Sequence, residues 1–267
     1  MGVLVVAVGG VVGGLVSSAG SGTRTVQAIV ADSVNHTLSA KTAQLNFELK
    51  ISTPSGTVTA SGPGVLDFSR GAMSATLQMD LAGRTTDIST VYVGGAVYEQ
   101  VPGLSHLEPG KTWITIDLSS LINSTGSAQS GMLSSNPLAG LELLARQGAT
   151  VSPAGATTID GQTVQAYQIT ITSQTIQSRL SAPGTPEWLR SAVGKVAIND
   201  IHETVYIGQG QLRRALVDFS EQVSGQTITF EETMDLSAYG MPVTISVPPA
   251  SQTVDFQKLL HDAQAAG

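Results

Sequence analysis

Two segments of the sequence alternate apolar and polar residues with a period of two. In Ala43–Ile51 (AQLNFELKI) and in Met73–Leu81 (MSATLQMDL), every second side chain is apolar. Because successive side chains on a β-strand point to opposite faces, each segment predicts a strand with one apolar and one polar face. Such strands build antiparallel sheets with one face in water. The other face must pack against helices or hold another molecule.

The composition fits a large β domain with an aliphatic interior. Of the 267 residues, 41% are hydrophobic, 4% are aromatic and 12% are charged. The net charge is −7, and Arg213 and Arg214 are the only adjacent basic residues, so the basic stripe that nucleic-acid binding requires is missing. The sequence contains no cysteine, which excludes disulfides and thiolate chemistry. No nucleic-acid partner and no cofactor is expected.

Turn signals recur every eight to twelve residues, which is typical of β-meanders. The Gly94-Gly95 pair, for example, predicts a two-residue hairpin turn. The predicted helices are Thr23–Ser39, a segment between Asn136 and Gly148, a short helix from Thr185, and Val254–Ala265. The predicted strands are Ala43–Ile51, Thr57–Ser61, Gly64–Phe68, Met73–Leu81, Thr86–Val93, Ala96–Val101, Thr112–Leu118, Val164–Thr172, Val196–Ile207, Gln211–Glu221, Gln226–Met234 and Val243–Val247.

This order of strands, helices and strands predicts an α+β fold. One curved antiparallel sheet with helices packed against its concave face fits the pattern best. Two separate sandwiches fit less well, because no charged or proline-rich linker divides the halves.

The N-terminal segment has no charged side chain between Gly2 and Thr23. Its apolar core, Val3–Val16, has the length of a signal-peptide h-region and is short for a membrane-spanning helix. We expect residues 1–22 to be an export signal or a membrane anchor, residues 23–260 to form one domain, and residues 261–267 to be a tail. The protein would then be exported to the cell envelope, on the periplasmic side of the membrane, either anchored or secreted.

The candidate catalytic groups do not form a recognisable active site. Asp200 and His202 share one strand face, but two ligands do not make a metal site. Ser105 and His106 are adjacent in a loop without a nucleophile elbow. Glu231 and Glu232 are strand neighbours and must point to opposite faces, so they cannot act as a carboxylate pair. We therefore expect a protein that is not an enzyme.

An ordered set of short runs resembles the actinobacterial LppX/LprA/LprF/LprG-type envelope lipoproteins. The runs are Gly62–Phe68, Val91–Tyr98, Lys111–Asp117, Pro137–Leu144, Ile159–Gly161 with Tyr167, and Asp235–Ala250. The likeness covers about residues 25 to 258. One departure concerns the lipobox, because Leu15-Val16-Ser17-Ser18 lacks the cysteine that those lipoproteins carry.

The resemblance implies a LolA/LolB-like half-barrel that encloses a hydrophobic cavity for lipid acyl chains. It also implies binding, transport or presentation of an acylated lipid or lipoglycan, with a membrane surface or an envelope transporter as a possible partner. The apolar strand and helix positions expected to line the cavity are Leu45, Phe47, Leu49, Met73, Ala75, Leu77, Met79, Ile114, Ile116, Leu141, Leu144, Ile169, Ile171 and Phe230.

Two other functions remain open from the sequence. The same fold could serve as a regulatory or scaffolding module that binds a protein partner, or as an enzyme with an unrecognised site. The same apolar strands could also bury against helices, so the sequence does not distinguish a filled core from a cavity.

Overall fold

The computed structural model describes residues 25–81, 83–117, 150–172, 174–175, 178, 200–223 and 226–265. The helices in this part of the chain are α1 (Val26–Ser39), α2 (Leu104–Leu107) and α3 (Phe256–Ala265), with a 3-10 turn at Ala250–Gln252. The strands are β1 (Thr42–Thr53), β2 (Gly56–Asp67), β3 (Ala72–Leu81), β4 (Arg84–Val93), β5 (Ala96–Gln100), β6 (Trp113–Asp117), β7 (Thr150–Ile159), β8 (Gln162–Ile171), β9 (Ile201–Gly208), β10 (Gln211–Val223), β11 (Gln226–Ser237) and β12 (Thr253–Asp255).

These strands form one open, curved, twelve-stranded sheet in the order β12-β6-β5-β4-β3-β2-β1-β11-β10-β9-β8-β7. Strands β1 to β6 form one meander, and β7 to β11 form a second. Antiparallel pairing of β1 with β11 joins the two, and β12 adds to β6 in parallel. The prediction of a single, largely antiparallel sheet is therefore confirmed.

The two faces of the sheet follow the alternation in the sequence. In β1, Leu45 and Phe47 are buried while Gln44 and Glu48 are exposed. We call the face that carries Leu45 and Phe47 the inner face, and the opposite one the outer face. In β3, Met73, Ala75 and Leu77 are buried on the inner face, whereas Thr76 and Gln78 are exposed. The predicted apolar and polar faces of both strands are confirmed.

Helix α1 packs against the inner face and is held there by the backbone of β10. The Thr25 hydroxyl caps its first turn by accepting a hydrogen bond from the Ala28 N–H at 3.2 Å. Val30 and Val34 are fully buried in the same apolar cluster as the inner-face residues. The Leu212 N–H donates to the Thr37 hydroxyl at 2.9 Å, beside a β-bulge between β9 and β10. The bulge leaves a backbone donor free for the helix to satisfy.

One expected strand break does not exist. Thr57–Ser61 and Gly64–Phe68 were predicted as separate strands, but both belong to β2, which runs through Gly62. An ideal Cβ placed on Gly62 would lie 2.1 Å from the backbone oxygen of Thr76 on β3. Glycine therefore serves here to let two backbones approach closely, not to end the strand.

The predicted strand Val243–Val247 is wrong. Residues 241–249 form no strand ladder with the sheet. They cross the outer face, where the buried Ile245 packs with Ala72 and Val91. The alternating residues 243–247 predict a strand with one apolar side. In the structure, the side chain of Ile245 is buried by packing on the sheet, and the segment does not pair with a strand.

Several elements agree closely with the prediction. The Gly94-Gly95 pair connects β4 and β5 with φ angles of 62° and 84°, which fit a type I′ hairpin turn. The C-terminal helix begins at Phe256, because residues 253–255 form β12.

The predicted helices after Asn136 and Thr185 and the N-terminal segment 1–22 lie outside the described residues. Within the described part of the chain, no helix is long and apolar enough to cross a membrane.

Candidate functional site

The inner face carries the residues that were predicted to line a cavity. Those buried there are Leu45, Phe47, Leu49, Met73, Ala75, Leu77, Ile114, Ile116, Ile169 and Ile171. Met79 and Phe230 are half-buried, and Leu141 and Leu144 lie outside the described residues. Burial is common to a filled core and to a cavity wall, so the lining of a cavity stays a prediction.

The apolar surface continues across the junction of the two meanders. Phe47 of β1 lies opposite Met234 of β11, which in turn lies opposite Ala215 of β10. All three residues belong to one apolar cluster that runs from β12 to β7. The inner face is thus one surface and not two separate cores.

The described helices lie near the two ends of this surface. Helix α1 makes its main contacts with β7 and β10, and α3 makes its main contacts with β6 and β12. The strands between them, β1 to β4, carry buried inner-face side chains such as Leu45, Met73 and Leu77. The central part of the inner face is therefore the candidate binding surface.

Two glutamates interrupt this apolar surface. Strand pairing aligns Glu232 of β11 with Val217 of β10, and Val217 with Glu203 of β9. Leu49 and Ile169 continue the same row on either side. Both acids are buried, with 3% of Glu232 and 5% of Glu203 exposed. Two carboxyl groups therefore face the inner side from a row of aliphatic neighbours.

Burial keeps both carboxyl groups in their neutral form near neutral pH. It raises the pKa of Glu203 to about 8. The pKa of Glu232 is also raised, first by burial and then by the negative charge of Glu203. Among the described residues, the Oε1 atom of Glu232 has no hydrogen-bond partner. A neutral carboxyl group offers one O–H donor and a carbonyl acceptor, so this site can bind a polar group without charge.

A second polar position lies in the other half of the inner face. Glu99 of β5 is directly opposite Thr90 of β4, and 2% and 0% of these residues are exposed. The Thr90 hydroxyl has no hydrogen-bond partner within the described ranges. Polar groups are thus built into both meanders of the sheet.

The local sequence around Glu231 and Glu232 does not reveal that Glu203 and Glu232 lie close together, although it does predict that Glu231 and Glu232 point to opposite faces. Glu231 is exposed and Glu232 is buried, so the two neighbours do point to opposite faces. The second carboxyl group on the inner face belongs to Glu203, which lies two strands away from Glu232. The alternation within β11 alone cannot show that Glu203 is nearby. A signal was present, since Glu203 occupies the apolar phase of β9 together with Val205 and Ile207.

The other candidate groups stay on the surface. His202 and His106 are exposed, and the nearest polar contact of His106 is the Gly103 carbonyl at 3.2 Å. The described residues contain no group of three or more side chains that could hold a metal ion. An open groove of about 720 Å³ lies beside α1, between Asp32, His36 and Tyr167, at one end of the sheet.

The described residues define a protein built on one open, curved β-sheet with a continuous apolar inner face. No family model matches the sequence, and no curated protein is similar to it. Among solved structures, the chain is similar to the Mycobacterium tuberculosis lipoprotein LppX at 13% identity, covering 83% of this chain and 98% of that chain, with a TM-score of 0.46.

LprF from Mycobacterium bovis is similar at 14% identity, covering 84% of this chain and 97% of that one, with a TM-score of 0.42. A LolA superfamily protein from Nitrosomonas europaea matches at 9% identity, covering 82% and 96% of the two chains, with a TM-score of 0.35. At TM-scores below 0.5, these similarities establish neither family membership nor function.

Proposed function

We propose that this protein binds the acyl chains of a lipid against the central inner face of its sheet and carries or presents that lipid in the cell envelope. The observation that carries this proposal is the continuous apolar surface of β1 to β4 and β11, away from the main contacts of α1 and α3. The ligand is an acylated lipid or lipoglycan, and the protein acts by binding and not by catalysis.

The width of the sheet supports the proposal that a lipid-sized ligand binds beside α1 and α3. Twelve strands spaced about 4.8 Å apart span roughly 50 Å. Helix α1 has 14 residues and is therefore about 21 Å long and about 10 Å wide. Helix α1 therefore spans only a small part of the width of the sheet.

The energetics of lipid extraction require this type of surface. An acyl chain that leaves a membrane loses about 0.8 kcal/mol per methylene, or on the order of 12 kcal/mol for a palmitoyl chain. At about 25 cal/mol per Å², this loss is offset by burial of roughly 500 Å² of apolar surface. A single hydrogen bond contributes only about 1 kcal/mol. Burial of the acyl chain against an extended aliphatic strand face can therefore offset the loss, whereas a few polar contacts cannot.

Location in the envelope is part of the same proposal. It is supported by the uncharged, apolar segment Gly2–Thr23, which has the character of an export signal or anchor. A membrane surface or an envelope transporter would then deliver or accept the lipid.

Native mass spectrometry of the gently purified full-length protein tests the proposal. We expect a co-purifying mass that denaturation releases and that lipid analysis identifies as an acylated lipid. A stoichiometric protein partner without lipid would instead favour the regulatory or scaffolding module. A ligand-free monomer that takes up no lipid from vesicles would contradict the carrier.

A further inference from the structure

The aliphatic row that crosses the middle of the inner face contains two polar positions. Glu203 and Glu232 flank Val217, with Leu49 and Ile169 as the next residues outward. Two strand spacings separate the two glutamates, so their Cα atoms are roughly 9–10 Å apart. Their side chains extend from the same face, on either side of the short Val217 side chain.

The described strand neighbours of this pair carry no positive charge. The adjacent row contains Phe47, Met234, Ala215, Val205 and Tyr167, which are all buried. On the other side, Ile51 and Phe230 are the neighbours from β1 and β11, and Ile171 is the neighbour from β8. Within this described part of the face, no Lys or Arg side chain lies in either adjacent row.

One carboxyl oxygen of the pair has no hydrogen-bond partner among the residues that the structure describes. The Oε1 atom of Glu232 is fully buried and accepts or donates no hydrogen bond within the described ranges. A buried polar atom without a partner loses its hydration without compensation, and natural proteins keep few such atoms. A partner from outside the chain would remove this cost.

We propose that Glu203 and Glu232 form a polar subsite that holds a neutral hydroxyl group carried within the apolar part of the lipid ligand. This inference rests on the proposed function, because the subsite lies in the acyl-chain surface. It selects lipids whose chains or backbone carry a buried hydroxyl over lipids with plain alkyl chains.

A hydroxyl group fits the chemistry of the pair better than an ion does. Burial favours the neutral form of both carboxyl groups, as the raised pKa values of Glu203 and Glu232 indicate. A neutral carboxyl group and a hydroxyl group each combine a donor with an acceptor, so they can pair without moving a proton. A cationic ligand would require ionised glutamates and its own desolvation, which buried ion pairs often fail to recover.

The test compares neutral ligands that differ by one hydroxyl group. The full-length protein is loaded with a fluorescent fatty-acid probe. The probe is then displaced by methyl stearate or by methyl hydroxystearates, which are positional isomers of one another that differ in the carbon atom carrying the hydroxyl group. We expect at least one isomer to bind about fivefold more tightly than methyl stearate, the effect of roughly one net hydrogen bond. In Glu232→Leu, the affinity for that isomer should be about equal to the affinity of the same variant for methyl stearate.

Glu231→Gln is the matched control, because Glu231 is the exposed neighbour of Glu232 on the outer face. It should retain the preference of the wild type. Circular dichroism establishes that each variant is folded, and Glu203→Leu replaces Glu232→Leu if the latter does not fold. Equal binding of methyl stearate and all isomers by the wild type would overturn the inference and leave the proposed function intact.

Other outcomes also give a decision. Tighter binding of octadecylamine than of octadecanol would overturn the neutral subsite in favour of a cation site. Failure of the wild type to bind the fluorescent probe or any ester would overturn the proposed function, and the subsite with it. A preference that survives both glutamate substitutions would place hydroxyl recognition elsewhere and contradict the inference.

Discussion

Phe47 of β1 lies directly opposite Met234 of β11, at the only junction between the two meanders in the described part of the sheet. Both side chains are buried, with 3% of each residue exposed. Because they share the inner face, the apolar surfaces of the two meanders become continuous. The proposed acyl-chain surface depends on this junction.

Added bulk on the central inner face separates a cavity from a filled core. Leu77→Trp enlarges a buried inner-face side chain of β3. In a close-packed core it should cost about 1–3 kcal/mol of stability. In a lipid-binding cavity we expect the melting temperature to change little while the bound lipid per protein falls. Both quantities are measured on the same preparation.

Gln78→Trp is the control for this substitution. Gln78 is the next residue of β3 and is exposed on the outer face. It should alter neither melting nor lipid content. A large loss of melting temperature in Leu77→Trp, together with a lipid-free wild type, would contradict the account.

The buried carboxyl group of Glu203 predicts a pH-dependent stability. Its pKa rises from 4.5 to about 8 on folding, so the folded state binds the proton more tightly than the unfolded state does. The stabilising contribution is complete below about pH 4.5 and is lost as the pH rises to about 8. Glu203→Gln, which does not titrate, should be more stable than the wild type at pH 8–9 by about 1–4 kcal/mol, at about 1.4 kcal/mol per pKa unit.

Urea unfolding between about pH 5 and pH 9 measures this effect. Glu231→Gln, on the outer face, is the matched control for the removal of a carboxyl group. A Glu203→Gln variant with the same slope as the wild type would show that Glu203 is ionised in the folded protein.

The close approach of β2 and β3 predicts that Gly62 does not tolerate a larger side chain. A Cβ at this position would lie 2.1 Å from the Thr76 backbone oxygen, so the two strands would have to separate. We expect Gly62→Ala to lower the free energy of unfolding by about 1–3 kcal/mol. The neighbouring Ser61→Ala, at an exposed position, should change it by less than about 0.5 kcal/mol. Equal effects of the two substitutions would refute the close approach.

The docking of α1 depends on the hydroxyl of Thr37. This oxygen accepts a hydrogen bond from the Leu212 N–H at 2.9 Å and donates one to the Ser33 carbonyl at 2.8 Å. Thr37→Val preserves the shape but leaves the Leu212 N–H buried without a partner. We expect a loss of about 1–3 kcal/mol in thermal or urea unfolding. Thr37→Ser should recover most of this loss, and a Val variant as stable as the wild type would argue against the anchor.

The faces of individual strands could be predicted from the sequence because they depend on local alternation. The buried and exposed residues of β1 and β3 follow from their period of two alone. The placement of Glu203 and Glu232 on either side of Val217 could not be predicted, because it depends on the registers of β9, β10 and β11 relative to one another, and a β-bulge between Leu212 and Arg214 shifts one of them. The strand predicted at residues 243–247 is wrong for a related reason. A segment that packs on the face of a sheet and a strand that pairs at its edge can have the same alternation of apolar and polar residues.

Photocrosslinking of a lipid bearing a diazirine in its acyl chain tests the central claim most directly. The full-length protein is loaded, irradiated and digested, and the modified residues are located by mass spectrometry. We expect adducts on inner-face residues of β1, β3 and β11, such as Phe47, Leu77 and Met234, and we expect an excess of unlabelled lipid to abolish them. Adducts confined to outer-face residues such as Glu48 and Gln78, or adducts that competitor lipid does not reduce, would contradict the proposal that this face binds acyl chains.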